Sequence, residues 1–277
     1  MTGEQGRLRR RVLLGAGGLG ALTLAGVGVG VGVGVATRRP SPVDTSEIPS
    51  YAGWELDFRE DFTGPLDESR WGTYGWGEQR VGQGGMGFYR PENCYTADGA
   101  LHLRIRYANG GWTSAGLSGD PGFAAVRGRW EVRARFPRAV GIGYVFLLYP
   151  RDGSWPPEVN FAEGRVNGPD LSATYHWDAD NKTDQRHLQQ PDMHEWHTYG
   201  VVIEEKTLVY TFDGSPWAVM PNDFITDKEL WVGFQCGAMD PDGEAKEYET
   251  VPGSVPGPDT PADMTIDIGW VAHYRQA

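Results

Sequence analysis

The amino-acid sequence predicts an all-β fold, a two-sheet sandwich of the jelly-roll type with a concave substrate cleft. Three observations lead there. Glycine (40 residues) and proline (19) are abundant in a chain of 277, so turns are frequent. Between the turns lie roughly ten short runs of apolar and aromatic residues. Helical periodicity is almost absent, which leaves strands in two packed sheets as the natural reading of those runs.

Residues 1–36 stand apart from this pattern. Arg7, Arg9, Arg10 and Arg11 form a basic head, followed by an uncharged stretch over 12–37 with Gly–Val repeats at 26–35. Arg10-Arg11-Val12-Leu13-Leu14 fits a twin-arginine export signal, with Gly34-Val35-Ala36 as a small-residue cleavage site. An uncleaved membrane anchor over residues 12–37 is the rival, because the stretch exceeds the ~20 residues that cross a bilayer. A disordered tail would leave the basic head unexplained. Export to the cell surface or medium is therefore expected. Residues 37–50, with three prolines and no periodicity, read as a linker, and residues 51–277 as one domain without internal repeats.

The net charge is −12, and residues 1–36 contribute four arginines against one glutamate, so the remainder is more acidic still. Arg38-Arg39 is its one basic cluster, which argues against nucleic acid or an anionic membrane as partner. A neutral polysaccharide bound by a monomer suits this surface. Cys94 and Cys236 could pair in an exported protein or lie apart as two buried thiols.

Within the domain, residues 101–107 and 128–136 alternate apolar and polar side chains as half-buried strands do. Residues 142–149 are apolar throughout, as in a strand covered on both faces. Residues 159–162, 172–176, 198–204, 208–212, 230–235 and 264–274 read as further strands. Asp213-Gly214 marks a hairpin turn, and the Gly/Pro/acid-rich stretch 237–261 is the expected mobile loop.

The segment Trp155-Pro156-Pro157-Glu158-Val159-Asn160-Phe161-Ala162-Glu163-Gly164 carries the candidate chemistry. On a regular strand Glu158 and Asn160 share a face, and Glu163 points the other way. One extra residue, a β-bulge, restores the phase and brings both glutamates to one face. Two carboxyls roughly 5–5.5 Å apart are what a retaining glycosidase uses, one as nucleophile and one as general acid/base. A glutamate pair by itself is more often a solvated strand face. Here the flanking Trp155, Pro156 and Pro157 and the preceding apolar strand place the pair at a cleft, with Val159 and Phe161 turned inward.

Aromatic rings suit the C–H faces of sugars. Trp155, three residues before Glu158, and Trp177, next to His176, lead the candidates, with Trp130, Trp112 and Tyr89 behind them. Trp54, Trp71, Trp231 and Trp270 read as core. His176 is as readily a buried structural histidine as a sugar ligand. His194-Glu195-Trp196-His197 imitates a zinc motif, but its histidines are three apart beside a strand pattern, where His-Glu-x-x-His on a helix is required. No metal or cofactor is expected. No G-x-S-x-G elbow occurs, and the glycine-rich stretches 26–34 and 82–87 do not join a strand to a helix, so serine-hydrolase and nucleotide-binding functions fall away.

Over most of residues 54–275 the chain resembles glycoside hydrolase family 16, the laminarinase, lichenase and agarase group. The likeness rests on Asp61-Phe62-Thr63-Gly64-Pro65-Leu66-Asp67, Arg70-Trp71, Glu92-Asn93, Asp98-Gly99-Ala100-Leu101, residues 128–137 (GRWEVRARFP), the segment from Trp155 to Glu163, His176, His197-Thr198-Tyr199-Gly200 and Asp213-Gly214. The resemblance implies a concanavalin A-like jelly roll, with Glu158 as nucleophile, Glu163 as general acid/base and Asn93 among the substrate ligands. The spacing matches the bulged signature Glu-x-Asp-x-x-Glu, a subgroup similar to enzymes acting on β-1,3-glucans and on galactans such as agar. Two departures stand out. Asn160 replaces the aspartate, which removes a charge beside Glu158 and is expected to lower its pKa. The family's tryptophan-rich strand is here Gly141-Ile142-Gly143-Tyr144-Val145-Phe146. The expected function is a retaining endo-glycosidase, with a transglycosylase as a variant and a non-catalytic carbohydrate-binding protein as the rival.

Overall fold

Sixteen strands form among the described residues, which in this computed structural model are 48–75, 87–168, 170–189, 191–239 and 255–277. Residues 1–36, read above as an export signal or anchor, residues 37–47 of the expected linker, residues 82–86 of the glycine-rich stretch and residues 240–254 of the expected loop lie outside them. In chain order the strands are β1 (Trp54–Glu60), β2 (Gly72–Thr73), β3 (Phe88–Tyr89), β4 (Cys94–Ala97), β5 (Ala100–Ala108), β6 (Gly111–Ser118), β7 (Gly128–Arg135) and β8 (Ile142–Pro150). They continue with β9 (Glu158–Arg165), β10 (Asp170–Trp177), β11 (Lys182–Gln189), β12 (His197–Ile203), β13 (Thr207–Phe212), β14 (Ser215–Pro221), β15 (Leu230–Ala238) and β16 (Asp263–Gln276).

One layer runs β11-β10-β9-β8-β15-β6 and the other β5-β16-β7-β12-β13-β14, with β1 added beside β16. The layers join where β6 changes sheets: Thr113 pairs with Arg106 of β5, and Gly116 pairs with Gln235 of β15. The fold is the all-β two-sheet sandwich that the sequence predicts. Strands β1 to β4, β6 and β11 were not among the expected runs, and for β6 and β11 the reason is in their composition. Sequence GWTSAGLS of β6 is small and weakly apolar, and KTDQRHLQ of β11 is polar because β11 is an edge strand with much of its surface in water. The Asp213-Gly214 hairpin forms as expected, with positive φ at both residues (48° and 74°).

Alternation decides what lies between the sheets. On β7, Trp130, Val132 and Ala134 enter the main core, while Arg129, Glu131, Arg133 and Arg135 share the outer face. On β8, Tyr144, Phe146 and Leu148 enter the same core, while Val145 and Leu147 turn outward against Trp231. The residues that open the described domain cover the outer face of the second sheet. Ile48, Tyr51 and Trp54 pack on Trp270, Ala272 and Tyr274, and the Tyr274 hydroxyl donates to the Pro49 carbonyl at 2.8 Å. Cys94 and Cys236 are both buried free thiols.

Candidate active site

The bulge that the sequence requires is present in β9. Against β8, Asn160 pairs with Leu147 and Ala162 with Phe146, so three residues of β9 span two of β8. Against β10, Asn160 pairs with Thr174 and Glu163 with Ser172, and the same offset recurs. The offset turns Val159, Phe161 and Ala162 into the main core. Glu158, Asn160 and Glu163 then share the opposite face with Leu147, Val145 and Thr174, their direct cross-strand neighbours.

Each carboxylate has its own set of partners. Glu158 accepts from the Trp155 indole N–H at 3.1 Å. Glu163 accepts at Oε2 from Asn160 Nδ2 (3.3 Å) and from the Thr174 hydroxyl (3.0 Å). Asn160 is 2% exposed, and its Oδ1 is buried without a hydrogen-bond partner. Turning the amide over would place that oxygen against the Glu163 carboxylate, so the two acids fix its orientation. The pKa of Glu158 is pushed up: burial is the main cause and Glu163 adds to it, against His176, Asn160 and Trp155, which pull down. The hydrogen bond from Asn160 pulls Glu158 down, and burial outweighs it.

The floor beside these groups is apolar and aromatic. Val145, Leu147 and Trp231 form its cluster, with Tyr149 packed against them. Trp231, expected in the core, is part of this floor. Tyr149 and Tyr74 both feel the Glu158 charge, and burial raises the pKa of each. Tyr74 packs directly on Gly116, where a Cβ would stand 2.2 Å from its ring.

The expected substrate residues separate into two groups. Trp155 is 49% exposed, and its ring centroid stands 5.9 Å from that of His176, at the Glu158 end of the site. His176 pairs with Glu158 across the strands, and its Nδ1 is 2.8 Å from Asn181 Oδ1, which orients the ring. The other five candidates are buried or packed against the core. Trp130 is 0% exposed, packed on Phe123 and His273, since its register on β7 points it between the sheets. Trp177 follows His176 by one residue and so faces the other way, stacked on Tyr175 at 5.4 Å. Tyr89 is buried, its hydroxyl donating to Gln235 Oε1 at 3.1 Å. Asn93 is buried too, its amide tied to Thr113 Oγ1 and the Ser114 carbonyl. Trp112 packs against the core beside Tyr107. His194 and His197 do not converge: Nδ1 of His194 faces the Phe136 carbonyl, and Nδ1 of His197 faces Asp213 at 2.7 Å.

Three contributors escaped the sequence reading. Thr174 shares the face of His176, two residues on, and alternation alone could have flagged it. Gln185 reaches it from β11, its Nε2 3.0 Å from Thr174 Oγ1. Lys228 clasps the turn that presents Trp155, with Nζ 2.8 Å from Asp152 Oδ2, and Asp152 also accepts from Ser154. Those bonds, Lys228 foremost, hold the Asp152 carboxyl well below the usual carboxylate range. No local sequence signal links Lys228 to Asp152, 76 residues away.

Known proteins resemble this chain in sequence and in fold. The profile of Glycosyl hydrolases family 16 matches residues 87–231, which include β9 and both of its paired neighbours, β8 and β10. Endo-1,3-1,4-beta-glycanase ExsH of Rhizobium meliloti is 36% identical over 136 residues, 46% of this chain and 29% of that protein. Endo-1,3-1,4-beta-glycanase EglC of the same organism is 31% identical over the same shares. The chain thus matches under a third of the length of these curated relatives. Among solved structures, the laminarinase catalytic domain of Thermotoga maritima superposes with a TM-score of 0.66 at 17% identity, covering 81% of this chain and 99% of that one. The endo-beta-1,3-glucanase of Pyrococcus furiosus gives 0.66 at 18%, with 81% and 95% covered. At such identities these two speak for the fold. Profile, fold and bulged strand together place the chain in glycoside hydrolase family 16.

Proposed function

We propose that this chain is a retaining endo-glycosidase that hydrolyses a β-linked polysaccharide by double displacement. The observation that carries it is the bulge of β9, which brings Glu158 and Glu163 onto one face with Asn160 between them. Glu158 attacks the anomeric carbon while Glu163 gives a proton to the departing glycosidic oxygen. Glu163 then takes a proton from the water that releases the sugar from Glu158. The exposed ring of Trp155 offers a platform to the sugar bound at Glu158. Relatives named as endo-1,3-1,4-beta-glycanases and laminarinases favour a β-glucan over a galactan as substrate. The basic head and uncharged stretch of residues 1–37 support export of the domain.

A carbohydrate-binding protein without turnover is the second reading, favoured by Asn160 in place of aspartate. Incubation of the purified chain with laminarin, mixed-linkage β-glucan, agar and carrageenan separates the two. New reducing ends on a β-glucan, formed with retention of anomeric configuration by NMR, are expected. Binding without new reducing ends on any of the four overturns the hydrolase.

A further inference from the structure

Glu163 must carry a proton to act as an acid, and the structure distinguishes its two oxygens. Oε2 receives two donors, Asn160 Nδ2 at 3.3 Å and Thr174 Oγ1 at 3.0 Å. Among the described residues Oε1 receives no hydrogen bond. Thr174 is 4% exposed and has no freedom to reverse its role. Gln185 Nε2, 3.0 Å from Thr174 Oγ1, can only donate, so it occupies the acceptor side of the hydroxyl and leaves the hydroxyl proton for Glu163. A proton on Oε2 would meet the Asn160 N–H and the Thr174 O–H head on.

We propose that Thr174, held by Gln185, is a positioning residue that reserves Oε1 of Glu163 as the oxygen that carries and delivers the catalytic proton. In the first step the Oε1 proton passes to the glycosidic oxygen as its bond to the anomeric carbon breaks and the Glu158–carbon bond forms. In the second, Oε1 takes a proton from water as the water oxygen bonds to that carbon and Glu158 leaves. Through both steps Oε2 keeps its two donors, so the acid does not rotate away from the bond it serves. With Thr174 lacking its hydroxyl, only the longer Asn160 bond holds Oε2, and the proton is free to occupy either oxygen.

This rests on the retaining-glycosidase reading, and leaving-group dependence tests it. A glucan departs as an alkoxide equivalent and needs the acid, whereas a 2,4-dinitrophenolate departs without a proton. The full chain and its Thr174→Val, Thr174→Ser and Gln185→Leu variants are compared by kcat/KM on laminarin oligosaccharides and on 2,4-dinitrophenyl β-laminaribioside. Thr174→Val is expected to lose roughly tenfold on the oligosaccharide and under about twofold on the aryl glycoside, a fraction of the 10²–10⁴ that an acid supplies. Thr174→Ser should recover most of the loss, and Gln185→Leu, altered at an exposed side chain, should show the same pattern more weakly. If Thr174→Val does not fold, the Gln185→Leu ratio decides. Equal losses on both substrates, or none on either, overturn the proposal while leaving the enzyme a glycosidase. A wild type that cleaves neither substrate sinks the glycosidase reading and takes this proposal with it.

Discussion

Glu158 and Asp267 are carboxylates withdrawn from water on opposite sheets, and burial pushes both toward the protonated form. Their partners divide them. Asp267, 8% exposed on β16, accepts from His102 Nδ1 at 2.8 Å, Arg135 Nη2 at 2.8 Å and Thr265 Oγ1 at 2.6 Å. Those bonds outweigh its burial and hold its pKa below the usual carboxylate value. Glu158 has an indole, an amide and a neighbouring histidine, and no arginine or lysine is among the groups that shift it, so burial prevails and its pKa rises. Glu131, also on the outer face of the second sheet, is likewise bound by a cation, Arg129 Nε at 3.0 Å, and by the Tyr51 hydroxyl at 2.8 Å, although there burial still outweighs the arginine and raises its pKa. In this molecule a carboxylate neutralised by a cation serves the fold. One left with uncharged donors is available for chemistry.

The largest effect should separate these roles by activity. Glu163→Gln is expected to lower kcat/KM on a β-glucan by about 10²–10⁴-fold, the usual yield of general acid catalysis. Glu158→Gln removes the nucleophile and should leave no measurable double displacement. Neither variant should melt lower than the parent. Glu158→Gln should melt higher at pH 7, because a carboxyl with a raised folded-state pKa stabilises the fold only while protonated and works against it once ionised. Thermal unfolding of the pair checks this, and a lower melting temperature for Glu158→Gln would break the contrast with Asp267.

The next effect is on stability alone. Asp267→Asn leaves Arg135 and His102 facing an amide in a largely buried site, at a cost of about 3 kcal/mol. For a domain of this size that is a fall of roughly 6–12 °C in melting temperature. The folded variant should keep its kcat/KM below the transition. A loss of activity larger than the loss of folded protein would mean that the outer face of the second sheet takes part in catalysis.

The division between the two faces was only partly legible in the sequence. Strands that alternate cleanly, such as β7, or that are apolar throughout, such as β8, declare themselves because burial dictates their composition. The bulge was legible because two glutamates five residues apart cannot share a face without it. Partners brought together by topology were not. Trp130 and Trp177 are aromatic residues in or beside strands, and only the phase of each strand decides whether a ring meets sugar or core. Tyr89, an aromatic candidate, and Asn93, at a family position, are spent on Gln235, Thr113 and Ser114. Thr174 is an ordinary strand threonine until β9 and β11 close on either side of it.

A smaller effect appears in the pH dependence, with opposite limbs for the two faces. His102 has its pKa raised, chiefly by the hydrogen bond to Asp267. Its contribution to stability is complete below its unfolded value of about 6.5 and is lost as pH rises through the folded value. Asp267, held low, gives stability above about pH 4 that is lost as pH falls further. Denaturant unfolding should therefore show this cluster strongest between those limits, and His102→Asn should erase the alkaline decline that the cluster causes. Activity moves the other way. The nucleophile must be ionised, so the acid limb of kcat/KM should lie above the ~4.3 of an ordinary glutamate.

Asn160→Asp probes the least of these effects and sharpens the comparison most. The substitution puts a carboxylate where an amide now donates to Glu163 and pulls Glu158 down. Another negative charge on this face raises the pKa of Glu158 further, because among the described residues no arginine or lysine is among the groups that shift it. The acid limb of kcat/KM should move to higher pH, while the maximum stays within about tenfold of the parent, since both acids and the bulge remain. The same change beside Asp267 would be absorbed by Arg135 and His102. An acid limb that stays in place in Asn160→Asp would show that a group other than Glu158 sets it, and the nucleophile would then have to be sought elsewhere on the strand.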